Sequence, residues 1–182
     1  MPNSGLKKIQ LLSRIPAFHT FYRIGTINPP MPVNITISLL YSCNSRCMTC
    51  NVYEKKVKTL KIDEYDKIFS TLGQAPFWFT MSGGEPFIRK DIVEVCTLAY
   101  EKTRPAIINI PTNGSLDQIV PVKAEQIIKN CPETDVIINL SLDQIGEEHD
   151  NVNHHAADIA CQQSQGQADQ GGDCTGNQTD LQ

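Results

Sequence analysis

The sequence predicts an α/β domain with a parallel sheet, built from βα units in the manner of a TIM-like barrel. Four apolar, β-branched runs begin near positions 33, 77, 106 and 135. A segment with helical periodicity lies between consecutive runs, which is the spacing of βα units. The polar motifs of the chain follow the predicted strands, where a barrel of βα units carries its chemistry.

The first 32 residues are predicted to form a helix and a connector. Apolar residues recur there at helical spacing: Leu6, Ile9, Leu12 and Ile15. We expect Pro16 to end this helix, and three prolines between positions 29 and 32 mark an extended connector. We expect the helix to pack across one end of the domain, although its basic residues leave a role at a membrane surface open.

The elements of the domain then alternate. Strands are predicted at residues 33–41, 77–81, 106–110 and 135–142, and helices at residues 62–72, 90–102 and 120–128. Asp63 and Glu64 favour the N-terminus of the first of these helices, and Gly73 favours its C-terminus. Cys96 lies on the apolar face of the second helix, so we interpret it as a small core hydrophobe.

The composition changes after residue 153. From His154 to Gln182 the chain has no Lys, Arg, Phe, Tyr or Trp. Such a segment cannot bury enough apolar surface to offset its ordering entropy, so we predict a disordered C-terminal tail. Cys161 and Cys174 lie in this tail, where an incidental presence is the simpler interpretation than a metal pair. The predicted units are residues 1–32 (helix and connector), 33–153 (core) and 154–182 (tail).

Charge and cysteine usage narrow the class of protein. The formal net charge of −4 argues against a general nucleic-acid binder, which would be basic. No apolar run is close in length to a membrane-spanning helix, which needs about 18 residues. The N-terminus lacks the continuous apolar core of a signal peptide. Seven cysteines, odd in number and clustered, suit a reducing cytoplasm and a metal better than a secreted disulfide framework. We therefore expect a cytoplasmic protein.

The first motif is a cysteine loop, Cys43-Asn44-Ser45-Arg46-Cys47-Met48-Thr49-Cys50, directly after the first strand. A closed structural zinc site and an ordinary ferredoxin-type cluster each use four protein ligands. Three thiolates can instead hold three irons of a [4Fe–4S] cluster and leave the fourth iron without a protein ligand. The alternatives from the loop alone are a zinc site completed by Cys96, Cys131 or a histidine, and disulfides. Arg46 either tunes the charge of the site or is simply solvated.

The second motif is Gly83-Gly84-Glu85-Pro86, directly after the second strand. Adjacent glycines let a backbone pass close to a ligand, and Pro86 biases Glu85 toward extended geometry. A turn rich in carbonyl groups and acidic in character suits an ammonium group. Taken alone, the motif is more simply interpreted as a plain turn between a strand and a helix.

In this order, one βα unit apart, the two motifs resemble the radical S-adenosylmethionine (radical SAM) superfamily. The resemblance covers roughly residues 33–153 and is nearest to the branch of the molybdenum-cofactor biosynthesis protein A enzymes and peptide-modifying relatives. It implies the N-terminal part of a partial (β/α)6 TIM-like barrel. It also implies a [4Fe–4S] cluster on the three thiols of the loop, and SAM whose amino group is held by the Gly83–Pro86 turn.

Further site residues follow from the same resemblance. Asn113, in Thr112-Asn113-Gly114, and Ser141 and Asp143, in Ser141-Leu142-Asp143, correspond to strand ends that approach SAM or substrate in many relatives. The alternatives are a turn after the third strand and a helix cap after the fourth. Thr49 departs from the family, because many members carry an aromatic residue there.

The implied activity is that of an oxidoreductase-like radical SAM enzyme. It takes an electron from a flavodoxin- or ferredoxin-like donor, cleaves SAM reductively to a 5′-deoxyadenosyl radical, and abstracts hydrogen from a substrate that the sequence does not identify. Family cores have six βα units, whereas four strands are predicted here, so we expect a truncated or frameshifted product. The alternative function is a non-catalytic iron–sulfur or metal-binding fragment.

Overall fold

A single parallel sheet organises the part of the chain that the computed structural model describes, residues 4–24, 32–74 and 77–142. Its strands are β1 (Asn34–Ser38), β2 (Trp78–Ser82), β3 (Ile107–Thr112) and β4 (Asp135–Leu140). They lie in the order β1-β2-β3-β4, and each neighbouring pair is parallel. Sequential neighbours in parallel register are the arrangement of consecutive strands in a TIM-like barrel, so the predicted α/β fold class is confirmed.

One helix precedes the sheet and three helices connect its strands. They are α1 (Ser4–Ile24), α2 (Ile62–Leu72), α3 (Ile92–Thr103) and α4 (Ile119–Asn130), with single 3-10 turns at Val52–Glu54 and Pro86–Ile88. The first turn of α2 contains the acidic residues Asp63 and Glu64, and Gly73 follows its last turn with a φ of 54°. Both features match the predicted ends of α2, because the acidic residues complement the helix dipole and the glycine adopts a positive φ that other residues resist.

The core lies between one face of the sheet and helices α2, α3 and α4. Phe79, Met81, Ile108 and Ile110 project from the central strands and are fully buried. Phe69 packs against them from α2, with its ring centroid 5.6 Å from that of Phe79. Cys96 is fully buried in this same cluster, which confirms its interpretation as a core residue.

The other face of the sheet is more open among the described residues. Alternate side chains of β1 are exposed, because successive residues of a strand point to opposite faces. In β4 the alternate residues Asp135, Ile137 and Asn139 are likewise exposed. In a barrel this face would be the interior.

The predicted end of the first helix is wrong. Helix α1 continues through Pro16 to Ile24. A proline removes one backbone donor and strains the preceding turn, but residues 17–24 contain no further helix breaker. The Thr20 hydroxyl donates to the Pro16 carbonyl oxygen at 2.7 Å. The described apolar side chains of α1, among them Ile9 and Leu12, are exposed, so these side chains do not show the expected packing across the domain.

Several expectations fall on other parts of the chain. The predicted tail and the boundary at residue 153 lie outside the described residues. Of the helices that the structure describes, none combines the length and the apolar character needed to cross a membrane.

Candidate metal and cofactor site

A cavity of about 300 Å³ opens at the carboxyl ends of the strands. Eight of the ten predicted site residues line it: Cys43, Cys47, Cys50, Gly83, Gly84, Glu85, Asn113 and Ser141. Pro86 is buried directly behind, in the first position of the 3-10 turn. Asp143 lies outside the described residues. The parallel register therefore brings segments separated by about a hundred positions to one place.

The cysteine loop has no regular secondary structure, and its first half is the better buried. Asn44 and Ser45 are 6% and 2% exposed, whereas Met48 is 72% exposed. The Ser45 N–H points to the Cys43 Sγ at 3.4 Å. Burial raises the pKa of the Cys43 thiol above its ordinary value, the Ser45 N–H partly offsets this, and the charges of Glu85, Cys47 and Cys50 raise it further.

The loop thiols are donors of the chemical type that holds an iron–sulfur cluster. Cys43, Cys47 and Cys50 are all free thiols, so the disulfide alternative is not seen among them. Within residues 4–24, 32–74 and 77–142, no three His, Cys, Asp or Glu side chains are arranged to hold a single metal ion. Three thiolates on one ion would have to lie within about 4.6 Å of one another, twice a zinc–sulfur bond. A cluster bonds each thiolate to a separate iron. Three thiols that line one cavity without converging on a single point are therefore chemically suited to an iron–sulfur cluster.

The two glycines of the second motif are required by the chain itself. Gly83 has a φ of 135°, in the region that side chains disfavour. A Cβ on Gly84 would overlap the Ser42 carbonyl oxygen, and one on Gly83 would overlap that of Leu40. The Gly84 N–H donates to the Leu40 carbonyl oxygen at 2.9 Å. The turn after β2 thus lies directly on the backbone that leads into the cysteine loop.

Glu85 joins the ends of β2 and β3. Its side chain is 1% exposed. Its carboxylate accepts hydrogen bonds from the Phe87 N–H at 3.1 Å, the Thr112 hydroxyl at 3.0 Å and the Asn113 N–H at 2.9 Å. A carboxylate offers about four acceptor positions, so three of them are already used inside the protein.

Asn113 closes a ring of hydrogen bonds with the cysteine loop. Its Nδ2 donates to the Asn44 Oδ1 at 2.9 Å and to the Ser45 Oγ at 2.8 Å. Its Oδ1 accepts from the Ser115 N–H at 3.0 Å and the Ser115 hydroxyl at 2.7 Å. The Asn44 Nδ2 donates to the Ser115 Oγ at 2.6 Å, which completes the ring. An amide has two donors and two acceptor positions, so the whole capacity of the Asn113 side chain is used within the chain.

Sequence reasoning missed Asn44, Ser45 and Ser115. The only signal was their place, two of them between Cys43 and Cys47 and one after the turn that follows β3. Ser141 reaches the cavity because its N–H extends the ladder of β3 and β4 by donating to the Thr112 carbonyl oxygen at 2.9 Å.

Similarity to known proteins agrees with this geometry. No protein-family model matches the chain. The chain is 24% identical over 149 residues to the antilisterial bacteriocin subtilosin biosynthesis protein AlbA of Bacillus subtilis, covering 80% of this chain and 32% of that protein. It is 36% identical over 89 residues to a probable GTP 3′,8-cyclase of Pyrococcus abyssi, covering 45% and 27%. The chain is related to the radical SAM superfamily.

The chain spans less than a third of the length of either of these two relatives. The chain also aligns with a solved structure, BtrN in complex with AdoMet and 2-DOIA. The alignment covers 66% of this chain and 54% of the BtrN chain, with 16% sequence identity and a TM-score of 0.43. The superfamily that these relatives represent consists of enzymes that use an iron–sulfur cluster and SAM.

Proposed function

We propose that the chain is a radical SAM enzyme, or its N-terminal half, that binds a [4Fe–4S] cluster through Cys43, Cys47 and Cys50. When bound, the cluster would supply the electron that cleaves SAM reductively to a 5′-deoxyadenosyl radical, which abstracts hydrogen from the substrate. The observation that carries the proposal is that three free thiols and the Gly83-Gly84 turn line one cavity at the carboxyl ends of the strands.

The chain's own residues would divide the work between binding and positioning. Thiols bind metal as thiolates, so cluster binding would release the proton that burial holds on Cys43. The Gly83–Pro86 turn would hold the amino group of SAM. Because three acceptor positions of Glu85 are already used, backbone carbonyls of this turn are the better acceptors for that ammonium group.

Asn113 would act by position and not by direct contact with SAM, because its side chain is saturated by Asn44, Ser45 and Ser115. Ser141 lines the cavity and remains a candidate for contact with SAM or substrate. The same role is proposed for Asp143 on the sequence alone.

Anaerobic reconstitution of the full chain with iron and sulfide tests the proposal. We expect about four irons and four sulfides per chain, and 5′-deoxyadenosine once dithionite and SAM are added. Cys43→Ala, Cys47→Ala and Cys50→Ala should each abolish the product, whereas Cys161→Ala, in the tail, should leave it unchanged.

Two other results would contradict the proposal. A stable cluster without SAM cleavage would favour the alternative of a non-catalytic iron–sulfur fragment. A colourless protein that holds one zinc per chain would exclude both cluster functions.

A further inference from the structure

A short segment beside the cysteine loop concentrates positive charge. Residues 55–61 (Lys-Lys-Val-Lys-Thr-Leu-Lys), named here the basic segment, contain four lysines and no acidic residue, and all seven residues are exposed. The whole chain has 16 Lys and Arg against 20 Asp and Glu. A quarter of its cationic side chains therefore lie in seven consecutive residues of an acidic protein.

Specific contacts hold the basic segment against the site. The Lys55 Nζ lies 5.9 Å from the ring centroid of Tyr41, two residues before Cys43. At the other end of the segment, the Leu60 carbonyl oxygen accepts from the Arg89 guanidinium at 2.8 Å. The same guanidinium donates to the Leu39 carbonyl oxygen at 2.9 Å, just after β1. The segment thus contacts, near both ends, the stretch from Leu39 to Tyr41 that leads into the cysteine loop: through the Tyr41 ring at one end and through Arg89 at the other.

The surface extends across the loop itself. Arg46 is exposed, with its guanidinium carbon 6.0 Å from the Tyr53 ring centroid. Cys50 is the exposed thiol of the three. Apolar side chains lie among the cations, with Met48 72% and Val57 53% exposed. Cations interspersed with exposed apolar groups are suited to an acidic protein partner, because charge steers the encounter and apolar contacts hold it.

We propose that the basic segment and Arg46 form the docking surface for an acidic, one-electron donor protein of the flavoprotein or iron–sulfur class. This inference rests on the proposed function, which needs an external reductant at the exposed edge of the loop. One electron leaves the reduced cofactor of the donor for the centre held by the three cysteines. The donor is oxidised by one electron, that centre is reduced by one, and no atom is transferred. Redox encounters are among the smallest protein interfaces, so such a surface need not be large.

The test compares a charge reversal in the segment with the same charge change elsewhere. Lys56→Glu/Lys58→Glu alters two exposed lysines and leaves the anchored Lys55 in place. Lys67→Glu/Lys90→Glu is the matched control, because both lysines are exposed and lie outside the cavity and the segment. The probe is an acidic flavodoxin, titrated in its oxidised form against each apo chain. The same flavodoxin in its reduced form is mixed with each reconstituted chain, and cluster reduction is followed by stopped-flow absorbance.

We expect the wild-type chain to bind flavodoxin. Its affinity for flavodoxin and its rate of reduction should both fall as the ionic strength rises, because the Debye length shortens from about 30 Å at 0.01 M to about 10 Å at 0.1 M salt. In the segment variant, affinity and the rate of reduction should fall about tenfold or more at low salt. The control variant should change each by less than about threefold. Dithionite is a small reductant and needs no docking surface, so dithionite-driven formation of 5′-deoxyadenosine should be equal in all three chains.

Failure of the two proposals can be told apart. If dithionite produces no 5′-deoxyadenosine in wild type, the proposed function fails, whatever the flavodoxin result. If dithionite works but wild type neither binds flavodoxin nor depends on salt, the docking surface is refuted. Equal losses in the segment variant and the control also refute it, as does a segment variant whose flavodoxin affinity and rate of reduction match those of wild type.

Discussion

Removing the Asn113 side chain tests whether the hydrogen-bond ring positions the cysteine loop. Asn113→Ala deletes the two bonds that its Nδ2 donates to Asn44 and Ser45 and the two that its Oδ1 accepts from Ser115. Each bond contributes a net of about 0.5–1.5 kcal/mol. Because the four share partners, the sum is smaller than four independent bonds, and we expect a loss of about 2–4 kcal/mol in the free energy of unfolding.

Urea denaturation followed by circular dichroism measures this loss. The matched control is Asn130→Ala, an exposed asparagine whose Nδ2 donates one bond to the Thr97 hydroxyl at 3.0 Å. We expect that control to lie within about 0.5 kcal/mol of wild type. The reconstituted Asn113→Ala chain should also lose iron to a competing chelator about tenfold faster, as partners behind metal ligands typically produce effects of this size.

A double-mutant cycle with Asn44→Ala separates the ring from general destabilisation. The two asparagines bond each other directly and share Ser115. Once either side chain is gone, the other has lost a partner, so the double variant should cost about 1 kcal/mol less than the sum of the single variants. Additive losses, or an Asn113→Ala chain as stable as the Asn130→Ala control, would refute the positioning role.

Three further changes have definite expected outcomes. Gly84→Ala forces a Cβ onto the Ser42 carbonyl oxygen, so it should cost about 2 kcal/mol or more and lower iron content on reconstitution. Arg89→Lys cannot bridge the carbonyl oxygen of Leu39 and the segment at once, so it should lower the urea midpoint and expose residues 55–61 to limited proteolysis. Burial raises the pKa of Cys131 to about 11; the folded state therefore keeps a proton that the unfolded chain loses near pH 9. Stability should fall between pH 9 and 11, and Cys131→Ala should lessen that slope by about 1.4 kcal/mol per pH unit, as measured by urea midpoints across this range.

The strand–helix alternation could be predicted because each element depends on residues that are close together in the sequence. Each strand is a run of apolar residues and each helix has its own apolar face, so the existence and order of β1 to β4 and α2 to α4 were predicted with shifts of only a few residues at the ends. The end of α1 was mispredicted because a single proline lowers helix stability without forbidding a helix. The local sequence pattern does not include the free energy that residues 17–24 gain by remaining helical.

The composition of the site could be predicted, but its internal bonds could not. The spacing of the cysteines and the adjacent glycines identify their segments, and parallel strands bring those segments to one edge. Two partners of Asn113, Ser45 and Asn44, lie 68 and 69 positions away, in the cysteine loop. Such pairs depend on the register of β1, β2 and β3 and on side-chain rotamers, neither of which a single sequence specifies. The sequence alone therefore suggested SAM or substrate as partners of Asn113 and gave no sign of its bonds to Asn44 and Ser45 in the loop and to Ser115 after β3.

The contacts of the cysteine loop divide it into a fixed half and an open half. Both neighbours of Cys43 are held: the Ser42 carbonyl oxygen accepts from the Glu85 N–H at 3.0 Å, and Asn44 belongs to the ring with Ser115 and Asn113. Cys50 and its neighbour Met48 are exposed, beside the basic segment. A loop fixed at one thiol loses less conformational entropy when a cluster orders the rest, because part of that ordering is already present. The same asymmetry leaves the Cys50 side accessible to a protein partner, so the most exposed part of the loop is also the part through which an electron donor could approach.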